Sequence, residues 1–148
     1  MKSLYFQLFW REKHGVMLEV NGLPDLPSRL QEEFTQWSKN RRKIQAFEAS
    51  LQTWVRIDEK GSSVHFTLQP NGTLIENNLF SDDSQTGHWK IVDGILLLKI
   101  TDGDTMTDYQ IVGNRLNNIH CGVATSSQDS SNGNSSRYSK FIQVQRSQ

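Results

Sequence analysis

His120 and Cys121 are adjacent, and with His65 and His88 they supply the imidazole and thiol groups that a metal site or a Cys-His nucleophile requires. Consecutive strand residues point to opposite faces, so His120 and Cys121 are not expected to share a site. No C-x-x-C or H-x-x-x-H spacing supports them. The expected arrangement is a solvent-facing histidine beside a buried, inert thiol. Asp82-Asp83 and Asp102-Gly103-Asp104 bring carboxylates together, as calcium loops and glycoside hydrolases do. A calcium loop opening at Asp102 needs a glutamate where this chain has Gly113, so these acids read as turn residues capping their own backbone. Lys39, Arg41, Arg42 and Lys43 form a basic cluster near Trp37 and Phe47. Both aromatics fall on an apolar helical stripe and are expected to point inward, which leaves a solvated helix face rather than a nucleic-acid patch. No G-x-x-x-x-G-K-[ST], G-x-G-x-x-G, G-x-S-x-G or H-E-x-x-H string occurs. The reading therefore leans away from an enzyme and assigns no catalytic residue, metal ligand or cofactor.

The elements that must position any site follow from composition and period. At 148 residues, with sixteen basic and sixteen acidic side chains, the chain is the length of one domain and has no formal net charge. A single domain over 1–148 is expected. Neutrality argues against nucleic acid or an anionic membrane as partner. One cysteine cannot form an internal disulfide, and no apolar run reaches membrane-spanning length, so a cytoplasmic, soluble protein is expected.

Ser3 to Trp10 and Val16 to Val20 are β-favouring stretches around a short polar loop, and they read as an N-terminal hairpin within 1–22. Over 28–52, Leu30, Phe34, Trp37, Ile44, Phe47 and Leu51 recur at helical spacing behind a Ser28–Gln31 capping box. One long amphipathic helix, or two short ones broken near Lys39 to Lys43, fits that pattern. From Thr53 the period changes to two and turns recur: Glu59 to Ser62, Pro70-Asn71-Gly72, Asp93-Gly94, Asp102-Gly103-Asp104 and Gly113-Asn114. Counted from Trp54, with a last strand at Tyr138 to Gln145 beyond a mobile polar loop at 124–136, about eight strands form an antiparallel meander over 53–146. The fold class is thus mainly β within α+β: a barrel or strongly curled sheet with the hairpin and helix packed on it. Ile95 to Leu98 is apolar on both faces, which makes it the candidate for a strand covered on both sides.

Trp54, Phe66 with the turn Pro70-Asn71-Gly72-Thr73, Gly87-His88-Trp89, Asp93-Gly94 and Tyr109 to Val112 stand in an order that resembles lipocalin-like (calycin-like) small barrels. The resemblance covers about half the chain. It departs from the family pattern in placing Gly-x-Trp on about the fourth strand and a hairpin and helix in front. What it implies is an apolar cavity for a small hydrophobic ligand.

Two functions follow as expectations. The first is a non-enzymatic binding barrel whose apolar ligand is lined by Trp89, Leu97, Tyr109 and Ile111. The second is a protein-interaction or inhibitor-type module, self-associating or meeting a protein partner through Tyr5, Phe6, Phe9 and Trp10 of the aromatic N-terminus. A third, an enzyme without a recognisable motif, would need two of His65, His88, His120, Asp82 and Asp104 to converge in one cleft.

Overall fold

The computed structural model describes residues 2–78, 84–126 and 136–145. Eight antiparallel strands close into a barrel: β2 (Gln52–Asp58), β3 (Ser63–Leu68), β4 (Thr73–Asn78), β5 (Ser84–Val92), β6 (Ile95–Asp102), β7 (Thr105–Asn114), β8 (Ile119–Ser126) and β9 (Ser136–Gln145). Each pairs with its neighbour in sequence, and β2 pairs with both β3 and β9, which closes the ring and leaves no open edge. Asp93 and Gly94, with φ of 52° and 81°, form the tight reversal between β5 and β6 that their sequence demands. Of the loop expected at 124–136, residues up to Ser126 belong to β8 and Ser136 to β9, and residues 127–135 lie outside the described residues.

The N-terminus corrects the sequence reading. Lys2–His14 is a helix, α1, and the expected hairpin is absent. Its rings occupy several faces at once, which hides the helical period and mimics β-propensity. Leu4 and Leu8, four residues apart, bury on the outer barrel wall against Ile95, Val112, Cys121, Val123 and Tyr138. This helix, with Trp37 from the segment at 28–52, packs on the outer cluster that contains Ile95, so Ile95 is buried outside while Leu96 and Leu98 are buried inside.

The 28–52 segment is two helices, α2 (Ser28–Lys39) and α3 (Ala46–Leu51). Between them Arg41–Arg42 (β1) pairs with Asn114 and Gly113 at the end of β7, and Ile44 inserts into the core at 1% exposure. Ser28 lies inside the first turn with Pro27 at the cap, so the expected Ser28–Gln31 box does not form. The capping box belongs instead to Gln45 and Glu48 at the start of α3. Because the helix breaks, the apolar stripe breaks with it. Trp37 packs between Tyr5, Phe9 and Phe34, whereas Phe47 and Leu51 face out at 68% and 64% exposure.

Inside the barrel, alternate residues of every strand converge. Trp54 stacks on Phe66 with centroids 6.1 Å apart, and Phe141 meets Phe66 and Tyr109 edge-on at 6.2 and 5.8 Å. Gly87 on β5 faces inward where a Cβ would collide with the Lys99 carbonyl, so the missing side chain permits the close approach of β5 to β6. Trp54 donates from Nε1 to the Ala49 carbonyl at 3.0 Å, tying α3 across one end as a plug. That end is closed and filled by the fully buried Trp54, Phe66, Leu68, Leu74, Leu96, Ile111 and Phe141.

Candidate binding site at the barrel mouth

The opposite end carries a different set of inward residues. On β2 the inward phase that holds Trp54 continues to Arg56, and on β4 the phase that holds Leu74 continues to Glu76. Two charges are thereby aimed into a barrel by the same alternation that builds its core. They meet at 2.9 Å, Arg56 Nη1 to Glu76 Oε2, with Glu76 only 7% exposed. The Arg56 guanidinium also lies 5.0 Å above the Tyr109 ring.

Around this pair opens a cavity of about 440 Å³, lined by Asp58, Gln85, Ile100, Thr107, Tyr109, Ala124 and Arg137 among others. The volume falls within the range of small-molecule sites. Its floor is mixed: Ile100, Tyr109 and Ala124 offer apolar surface, while Arg56 and Glu76 offer charge with both signs present. Burial raises the Tyr109 phenol above its ordinary value, against the opposing pull of Arg56. Tyr109 is therefore a neutral O–H donor at neutral pH, and it lines the cavity.

The sequence candidates are scattered by this geometry. Tyr109 lines the mouth, whereas Ile111 is fully buried in the filled end and Trp89 packs at its rim, donating from Nε1 to the Gln69 carbonyl at 2.8 Å. Leu97 points to the outer wall, partly buried beside the α1 cluster. A hollow of about 660 Å³ surrounds it there, rimmed by the exposed His88, Lys90, Lys99 and Gln110. The mouth is the better-built site, because its charged pair is buried and converges from separate strands. The aromatic residues of the N-terminus are spent on packing: Phe9 is buried, Phe6 stacks on Trp10 at 5.8 Å, and both Phe6 and Phe9 contact Phe34.

His120 and Cys121 do face opposite ways, but the histidine is the inward one at 1% exposure, corrected from the solvent-facing position expected. Cys121 lies on the outer wall beneath α1, where burial pushes its thiol far above the usual range. His65 and His88 sit on the outer face, and among the described residues no group of three metal-ligating side chains converges. Asp82 and Asp83 lie outside the described residues. Arg41 and Arg42 are not a solvated helix face: Arg41 stacks 4.2 Å above Trp37, and Arg42 pairs with Glu48 at 2.9 Å.

Arg56 and Glu76 escaped the sequence reading because they are twenty residues apart and carry no motif. Their signal was phase: each is a charge in step with a core residue two positions away. Comparison with family models, with curated proteins and with solved structures returns no match to this chain.

Proposed function

We propose that this protein is a non-enzymatic binding protein of lipocalin-like type, which takes one small amphipathic molecule at the mouth of its barrel. The observation that carries this reading is the buried Arg56–Glu76 pair beneath an open cavity of about 440 Å³. Burying an ion pair seldom adds stability over an apolar pair of the same volume, so its presence at a mouth is better explained by recognition than by folding. The closed eight-stranded barrel supports the lipocalin-like reading. The ligand class implied by that resemblance changes, because the deep end of the barrel is filled by aromatic and aliphatic side chains. The ligand's apolar part packs on Ile100, Tyr109 and Ala124. Its polar end accepts a hydrogen bond from the Tyr109 hydroxyl and meets the charged pair.

The test is an NMR titration of the full chain with a panel of small amphipathic acids, amides and alcohols. Saturable shifts confined to the amides around Arg56, Glu76, Tyr109 and Arg137 are expected. Tyr109→Phe should weaken binding about fivefold, the value of one neutral hydrogen bond. A panel without a saturable shift at the mouth, or binding indifferent to Tyr109→Phe, overturns the reading.

A further inference from the structure

The chain has no formal net charge, yet its charge and its exposed apolar surface are not spread evenly. The filled end of the barrel is formed by α3, by the β5–β6 and β7–β8 turns, and by the start of β8 and the end of β9. Hydrogen bonds knit these pieces together: Ile44 N–H to the Gly94 carbonyl, Arg115 N–H to the Asn40 carbonyl and Gln143 N–H to the Asn118 carbonyl, at 2.9, 2.8 and 2.9 Å. Among the described residues nine large hydrophobic side chains are exposed, and six of them are here: Phe47, Leu51, Val92, Leu116, Ile119 and Val144. Phe47 and Leu51 stand four residues apart on α3, so they share one face, and Ala49 on the other face is buried in the plug. Among the described residues, the same end carries the exposed cations Lys39, Lys43, Lys90 and Arg115 against one exposed carboxylate, Asp93. Glu48, the one acid of α3, is neutralised by Arg42 at 2.9 Å.

We propose that this end docks on an anionic lipid surface, with Phe47 and Leu51 entering the headgroup region and the lysines meeting lipid charge. Apolar tips ringed by basic side chains are the chemistry of interfacial binding. Charge complementarity selects the occupant: a surface for a second copy of the chain would place four cations against four cations, and a nucleic-acid surface would not call for protruding aliphatic groups. The barrel mouth lies at the other end, so a docked molecule would present its cavity to solvent. The docking proposal is independent of what the mouth binds.

The test is co-sedimentation of the full chain with vesicles of phosphatidylcholine alone and of phosphatidylcholine mixed with phosphatidylserine. Binding to the serine-containing vesicles only, weakening as salt rises, is expected. Phe47→Ser with Leu51→Ser, and separately Lys43→Glu with Lys90→Glu, should each cut partitioning by about tenfold or more. Val16→Ser with Val20→Ser removes exposed apolar groups away from this end and should leave partitioning unchanged. Circular dichroism verifies that each variant is folded. Equal binding to both vesicle types, no binding, or tighter binding to duplex DNA overturns the proposal. So does a dimer in light scattering that Phe47→Ser with Leu51→Ser dissociates.

Discussion

His120 Nε2 lies 2.8 Å from Gln143 Oε1, and the Asn114 backbone N–H donates to His120 Nδ1 at 2.9 Å. The second contact fixes the tautomer: Nδ1 is an acceptor, so Nε2 carries the proton and donates to Gln143. Gln143 passes the chain on from Nε2 to Glu48 Oε1 at 3.0 Å, and Arg42 donates to both Gln143 and Glu48. Four side chains from β1, α3, β8 and β9 thus latch the plug to the barrel, and the latch requires an uncharged imidazole.

Stability should therefore fall as this latch is protonated. Burial lowers the pKa of His120, against the hydrogen bond with Gln143 that raises it. A histidine held neutral contributes stability that is complete above its unfolded value of about 6.5 and is lost as pH falls toward the lowered folded value. Glu48 acts in a second, more acidic window. Burial alone would raise its pKa, but hydrogen bonds from Gln143, Gln45 and Arg42 lower it, so its contribution is lost only as pH falls through the depressed value. Urea unfolding across this range should show stability dropping from about pH 7 to about pH 5. The drop should be shallower in His120→Asn, and identical slopes in the two proteins would contradict the latch.

The Arg56–Glu76 pair should behave as a unit. Its side chains are 14% and 9% exposed, so removing either partner strands a largely buried charge. Arg56→Met and Glu76→Leu are each expected to cost on the order of 3 kcal/mol in urea unfolding, and the double variant less than either single one. Additive single costs would mean that the two charges are solvated independently.

Cys121 should be invisible to thiol reagents in the folded protein. At 3% exposure and with its thiol pushed far upward by burial, it has neither access nor thiolate. Ellman's reagent should therefore react at the rate of global unfolding, rising together with loss of tryptophan signal in urea. Prompt stoichiometric labelling of the native chain would mean that α1 opens locally from the wall.

The strand run was readable because its determinants are local. Asp93-Gly94 and Pro70-Asn71-Gly72 specify their own reversals, and the alternation around Phe66 states which face is buried. Closure was not local, since it rests on β2 meeting β9 across the whole barrel, Val55 opposite Ile142. The N-terminus failed for a related reason. Whether Tyr5 to Trp10 becomes helix or strand depends on the wall that Leu4 and Leu8 find, and that wall is assembled from β6 to β9. Phe47 likewise fits a helical stripe on paper, but the Arg41–Arg42 bridge to β7 resets the rotation of the helix after it. At the mouth, Tyr109 is legible as a cavity residue from its place in an apolar strand, whereas Arg56 and Glu76 carry no motif and show only in their phase with Trp54 and Leu74.

The pairing of β2 with β9 also sets the order in which the molecule can be made. Every other strand pair within the barrel ring joins neighbours in sequence and costs little chain entropy to close, whereas Gln52 and Gln145 must find each other across nearly the full length of the barrel. Until they do, β2 and β9 each present a row of unpaired backbone groups, the form in which a half-built barrel recruits another chain. Loop-closure entropy thus makes the β2–β9 seam the costliest contact of the ring to form, and the same pairing that closes the barrel is the one whose delay would leave edges open to another chain.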